Sequence, residues 1–406
     1  MRFAILLSVV AVLPGQVARA AAPPSEKRIS ALILPMDKAS EALTLKIESF
    51  SNEALSEYQG LTVRTSDNLF GVAVDEEAAA SFKRAETGFK ESKAAFDERN
   101  YEDAERKLRA TIKEYSKSVG AMKNCGNLCE TVAMFGSVLQ ARGDVEESKI
   151  AILDLLALSP TFELDRKRYP QNFLALKAQV ATSRNAQLRG NVTVKTKPSG
   201  ARVFLNGELQ GYSPVTMQTL PIGKHLVKIE RPGFKQLGVM VEVTPEDQDI
   251  TSELTASSGY KAFDALMDRL AGEALKDKGG GTMSSVASSL KLDRAIIGVV
   301  KEAGESTELT MAYFDLKTGR RIAIKRVAFQ GDEFGQLRSE VARMVNHLLN
   351  AGESSSEKVS RSSDPLDNKH GMEEWQGEDR GGKNTNRDKK SKGGDPLDNS
   401  NGTEDW

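Results

Sequence analysis

Histidine, tryptophan and cysteine are scarce in this chain of 406 residues, with three, two and two copies. The histidines, His225, His347 and His370, fall in three separate regions, so a Ser-His-Asp arrangement or a histidine metal site has no motif from which to assemble. No G-x-S-x-G is present either. The nearest approach to a phosphate loop, GEDRGGKN at 377–384, carries Asn384 where the magnesium-binding Ser or Thr belongs, and the KGGGT run at 278–282 reads as a connector. Neither charge dominates: 56 Lys and Arg face 57 Asp and Glu, which gives no electrostatic reason to expect nucleic acid as a partner. The sequence therefore predicts neither an enzyme nor a bound cofactor or metal.

A hydrophobic run of about 20 residues, the length that spans a bilayer, is also lacking. The apolar stretch at 3–13 follows Arg2 and precedes Pro14-Gly15 and Ala18-Arg19-Ala20, the pattern of a cleavable signal peptide over residues 1–20. The mature chain is then expected in the periplasm with no transmembrane segment, meeting the inner or outer membrane only through partners. Losing Arg2 and Arg19, two basic residues, takes the formal net charge from −1 to −3.

The two cysteines, Cys125 and Cys129, lie four apart, a spacing that puts both on one helical face. In an exported protein this predicts a local disulfide, the alternative being two thiols packed against neighbouring helices. The C-x-x-x-C spacing fits neither a redox C-x-x-C nor a zinc site.

What is present is a succession of patterns. Residues 21–75 read as strand (29–36), helix (39–58) and a second strand, LTVRTSDNLF, at 61–70. Residues 76–185 turn almost wholly helical, rich in Ala, Glu and Lys. Within them, AAFDERNYEDAERKLRATIKEY sets Tyr101, Ala104, Leu108 and Ile112 on one face, and FGSVLQARGDVEESKIAILDLLALSP repeats that logic with Gly143-Asp144 at its turn. Both units resemble degenerate tetratricopeptide repeats, with an irregular helical bundle as the alternative.

Between Thr193 and Phe234 the pattern becomes alternating strands punctuated by Gly and Pro. Pro198, Ser199, Gly200, Ala201, Val203, Asn206-Gly207, Gly211, Ser213-Pro214, Leu220, Gly223, His225, Val227 and Gly233-Phe234 together resemble the PEGA domain over residues 190–254, with PSGA in place of the namesake tetrad. The signature positions Pro198, Gly200, Ala201, Gly207, Gly211, Pro214, Gly223 and Gly233 are those of turns and packing, so their expected role is structural. His225 fills a hairpin position and is expected to be structural too.

Residues 260–350 read as a helix at 262–275, a short helix at 284–290, a buried strand, a hairpin and a final helix at 332–349. Gly298 at the strand end and Asp315, Thr318 and Gly319 in a D-x-x-T-G turn resemble the later half of the TolB amino-terminal-like domain, whose earlier half is a strand, helix and strand like residues 29–70. That resemblance implies one split α/β domain with the helices and the β module inserted, against an alternative of two separate small domains. The expected fold class is multidomain α+β.

From residue 351 the periodicity ends, and a tail expected to be disordered carries DPLDNKHGMEEW at 364–375 and DPLDNSNGTEDW at 395–406. Their starts lie 31 residues apart, and they hold the chain's two tryptophans. Asp364, Leu366 and Trp375, with Asp395, Leu397 and Trp406, read as a duplicated linear motif for a partner groove; the alternatives are docking onto the same protein or a processed remnant. Calcium fits poorly, because the D-x-D-x-D-G spacing is absent. The whole arrangement resembles secreted PEGA proteins of gliding, predatory soil bacteria. This implies a non-catalytic periplasmic scaffold for envelope proteins of a motility, secretion or polysaccharide-export machine, or else a module that binds peptidoglycan or surface polysaccharide.

Overall fold

The computed structural model describes residues 26–183, 188–304, 306–330 and 334–361. The segment at 1–20 and both tail motifs, with Asp364, Leu366, Trp375, Asp395, Leu397 and Trp406, lie outside the described residues. Helices and several small sheets alternate, an α+β architecture. Among the described residues no helix is long and apolar enough to cross a membrane.

The stretch KRISALILP forms β1 (Lys27–Pro35), buried from Ile29 to Leu34 without alternation, as a strand covered on both faces must be. It lies between β2 (Leu61–Val63) and β10 (Arg294–Ala303), parallel to both, and β11 (Ser306–Asp315) and β12 (Arg320–Gln330) extend the sheet antiparallel, in the order β12-β11-β10-β1-β2. One sheet thus draws strands from opposite ends of the described chain, pairing Ile29 with Arg294 and Pro35 with Val300. Ile29, Ala31 and Ile33 face one core with Ile47, Phe50 and Leu55 of α1 (Glu41–Ser56) and Val341, Val345 and Leu348 of α11 (Phe334–Arg361). Leu32 and Leu34 face the other way, into a second core. In the β11–β12 turn, Asp315 Oδ1 accepts the N–H of Lys317 at 3.0 Å and of Thr318 at 3.1 Å, and Gly319 takes a φ of 67°.

Three local expectations are corrected. The strand read over 61–70 ends at Val63, because Thr65 and Asn68 form a capping box that starts α2 (Ser66–Phe70). The helix read over 262–275 is two, α8 (Ser258–Asp264) and α9 (Met267–Ala274); the break turns Tyr260 and Phe263 towards Phe70 while α9 packs on β10. The final helix runs on through Gly352 to Arg361, since propagating a formed helix is cheap and no proline intervenes before Pro365.

Between β2 and β10 come the helices α3 (Glu76–Asp97), α4 (Tyr101–Lys117), α5 (Gly126–Arg142), α6 (Val145–Leu158) and α7 (Gln171–Ser183). Asn100 caps α4, and Gly143, at φ 96°, closes α5, so each pair folds back as a hairpin. Leu108, Leu128, Leu139, Ile152 and Phe173 share their core. Cys125 and Cys129 form a disulfide at the start of α5, with sulfurs 2.03 Å apart.

A β module follows. Strands β6 (Val215–Pro221), β3 (Arg189–Lys197) and β9 (Gln248–Glu253) make one sheet, and β5 (Glu208–Tyr212), β4 (Arg202–Leu205), β7 (Gly223–Glu230) and β8 (Leu237–Val243) the other. Its core of Val192, Val194, Val203, Val227 and Ile229 is continuous with Leu32 and Leu34 of β1 and with Met283 and Val286 of α10 (Gly281–Leu290).

Candidate functional site

The β module holds the glycine-rich signature, and the fold shows what those positions touch. Asn206 and Gly207, at φ 52° and 97°, form the two-residue turn between β4 and β5. A Cβ on Gly207 would come within 2.7 Å of the Lys123 carbonyl oxygen, just ahead of the disulfide. Gly233, at φ 82°, lies against the ring of Tyr260, which a Cβ would enter. Gly200 abuts the Glu41 carbonyl of α1, and Gly223 faces Ala157 of α6. Gly211 faces Val215 within the module, Pro198 and Pro214 follow cis peptide bonds, and Ala201 is fully buried. Gly200, Gly207, Gly223 and Gly233 therefore mark where the rest of the chain closes onto the module.

The polar contacts at these seams differ by side. Towards α6, Asn206 Nδ2 donates to the Ala157 carbonyl at 2.9 Å and to His225 Nδ1 at 3.1 Å, while His225 Nε2 donates to the Pro221 carbonyl at 2.9 Å. His225 is 2% exposed; His347 lies exposed on α11, so nothing brings the two together. Asp154 of α6 accepts from Lys224 Nζ at 2.8 Å and from its backbone N–H at 3.0 Å. Burial pushes the Asp154 carboxyl up, and Lys224 opposes this.

Towards the five-stranded sheet, Arg202 of β4 donates to both carboxylate oxygens of Asp67 in α2, at 2.8 and 2.5 Å. Arg231 donates to the Ser199 carbonyl. Glu48 of α1 lies beneath them, accepting the Ser66 N–H at 3.1 Å, and burial pushes its carboxyl up to about 7. A cavity of about 40 Å³ adjoins it, bounded by Leu32, Leu34, Phe70, Arg231 and Tyr260.

Among the open concavities of the described residues, the most apolar lies on the helical side. A groove of about 390 Å³ runs between α4, α5, α6 and β8, floored by Ile112, Val132, Phe135, Leu158 and Met240, with Ile150 56% exposed at its lip. Arg109 stacks over Phe135 with 4.6 Å to the ring centroid and pairs with Glu105 at 3.0 Å and Glu147 at 2.8 Å. Lys113 stands exposed on the rim.

Phe204, Tyr212 and Phe234 are the aromatic residues of the β module, and Phe204 and Tyr212 keep part of their surface exposed. Phe234 is buried against Tyr260, 4.8 Å between centroids. Phe204 is half-buried, with Lys228 Nζ 5.1 Å from its ring centroid. Strand alternation explains the difference, since Val203 beside it takes the inward position. Among the described residues no group of three or more His, Cys, Asp and Glu side chains is placed to hold a metal ion.

Glu48, Asp67, Arg202 and Asp154 carry no motif and were not singled out by the sequence. The available signal is faint: Thr44, Glu48 and Asn52 recur every four residues and read as a solvent ridge, yet all are buried. No curated protein matches this chain. Residues 189–257 match the sequence profile of the PEGA domain, and the two-sheet module at the centre of the fold is a PEGA domain.

Proposed function

We propose that this chain is a non-catalytic scaffold of a Gram-negative envelope, exported to the periplasm, which holds other envelope proteins and serves a motility, secretion or polysaccharide-export machine. In this reading the hairpins α3–α4 and α5–α6 are degenerate tetratricopeptide units, and the five-stranded sheet with α1 and α11 is a split TolB amino-terminal-like domain. Two copies of the tail motif, anchored by Leu366 and Trp375 and by Leu397 and Trp406, tether a partner with the avidity of a bivalent peptide. The observation that carries the reading is the apolar groove of α4, α5, α6 and β8, open to solvent while the signature glycines of the PEGA domain are closed in by the chain itself. It would take an apolar side chain of a partner protein, with Lys113 and Arg109 at the rim.

The test uses the immobilised peptide 395–406 and the full chain, each probed with solubilised envelope proteins and with isolated peptidoglycan, beside Trp406→Ala and Ile150→Asp. A defined protein retained by the wild type and lost from either variant supports the scaffold. Retention of peptidoglycan alone, unaffected by both substitutions, would replace it with a cell-wall-binding role.

A further inference from the structure

Glu48 is a buried acid that a scaffold does not require, and it sits where the PEGA domain meets the sheet. Its carboxyl accepts the Ser66 N–H at 3.1 Å and lies 3.4 Å from Asn52 Nδ2. Asn52 Oδ1 is itself buried without a donor. Among the described residues Glu48 has no ion-pair partner. The charged and titratable groups around it come from every neighbouring element. Asp67 of α2 repels it, and Arg202 of β4 attracts it but is held by Asp67, with Glu230 at 3.8 Å. Tyr260 of α8 is hydrogen-bonded to Arg231, which also serves Ser199 and has Asp264 nearby. On α1 itself, Glu41 accepts from Ser199 at 3.2 Å, and Lys46 lies two residues before Glu48. Strand β1 presents only Leu32, Ile33 and Leu34, and α9 only Met267.

The Ser66 N–H belongs to a strap, Thr65–Val74, that joins β2 to α3 and crosses the PEGA domain. Along it Asp67 binds Arg202, and Phe70 packs on Phe263 and Tyr260 with centroids 4.8 and 5.3 Å apart. Its backbone then pairs with the domain: the Gly71 carbonyl accepts from Gly233 N–H at 2.6 Å, and the Ala73 carbonyl from Gln236 N–H at 2.8 Å. Glu48 thus touches the first link of a short chain of contacts that fastens the PEGA domain to the sheet.

We propose that Glu48 is a proton-operated latch: in its neutral form it holds the strap Thr65–Val74 down on the PEGA domain, and on ionisation it draws water into the adjoining cavity and loosens the strap. The neutral acid keeps the Ser66 bond through its carbonyl oxygen and adds a donor next to the orphaned Asn52 oxygen. Ionisation strengthens the Ser66 bond but puts a charge without an ion pair beside Asp67 on a residue that is only 8% exposed, and that desolvation cost is the larger effect. The cavity of about 40 Å³ has room for water to enter next to the carboxylate. Burial sets the switch close to neutral pH.

Amide hydrogen exchange of the full chain, corrected for intrinsic rates, tests the latch at about pH 5.5 and about pH 8.5. Protection of the strap amides in the wild type should fall roughly tenfold between those conditions, while in Glu48→Gln it should stay near its acid value. Equal losses in both proteins, or no loss in the wild type, would overturn the latch. A carboxyl 13C titration of the wild-type chain supplies a readout that needs no variant: a Glu48 midpoint near its ordinary value of 4.5 defeats the proposal, and one near neutral supports it.

Discussion

The PEGA domain is fastened on two sides, and the two seams are built differently. On the helical side a buried acid, Asp154, has its own cation in Lys224 at 2.8 Å, and a Cβ on Gly223 would meet the Ala157 methyl group at 3.0 Å and the Leu153 carbonyl oxygen at 3.2 Å. On the sheet side a buried acid, Glu48, has no ion-pair partner among the described residues, its attracting cation Arg202 being held by Asp67, and a Cβ on Gly233 would run into the Tyr260 side chain from its Cβ to one ring edge. Burial pushes both carboxyls up, but at Asp154 the adjacent Lys224 opposes the shift, so pH should act on the sheet seam more strongly than on the helical one. The comparison teaches that burial raises both carboxyls while the neighbours of each decide how strongly that shift is opposed.

The sharpest break is at the glycines. Both glycines hold a positive φ, 82° at Gly233 and 124° at Gly223; Gly233→Ala also forces a Cβ into the Tyr260 side chain and should destabilise by on the order of 4 kcal/mol, whereas Gly223→Ala, 3.0 Å from the Ala157 methyl group, should cost about 2 kcal/mol. Thermal melts of both variants would check the order, and a larger loss at Gly223 would reverse the account of the seams. Next comes pH. The folded carboxyl of Glu48 titrates near 7 against an ordinary 4.5, so the folded state binds the proton more tightly than the unfolded one. Stability should therefore fall as pH rises from 4.5 to 7 and level off above, by about 3 kcal/mol. In denaturant titrations Glu48→Gln should remove most of that slope.

The Cys125–Cys129 disulfide closes only a short loop, so reducing it should cost about 2 kcal/mol, read as a lower midpoint of urea unfolding. The loss should appear in α5 exchange before it appears in the sheet. The smallest effect is expected from Asp67→Asn. Asp67 is 42% exposed, so its pair with Arg202 is worth about 1 kcal/mol after screening, and high salt should shrink the difference between variant and wild type.

Much of the fold is written in local signals. The run ISALILP gave a strand buried on both faces, Gly143 gave a helix stop, and Asn206-Gly207 gave a hairpin, because each depends on backbone preference within a few residues. The disulfide was legible for the same reason, from a four-residue spacing on one helix. Where the strand read over 61–70 stopped short, a capping box of Thr65 and Asn68 outweighed alternation over the same residues.

The seams were not legible. Glu48 lies between Ile47 and Phe50 on a helix whose polar ridge looks solvent-facing, and only the arrival of Ser66, Arg231 and Tyr260 from elsewhere in the chain makes it a buried acid. The groove is hidden likewise, since Ile112, Phe135, Ile150 and Met240 come from four elements. By itself the sequence determined the elements, the turns and the PEGA glycine pattern, all set by interactions short in sequence. The tertiary structure alone decided which carboxyl loses water and which cation it meets, because desolvation depends on what packs overhead, at separations that no local pattern encodes.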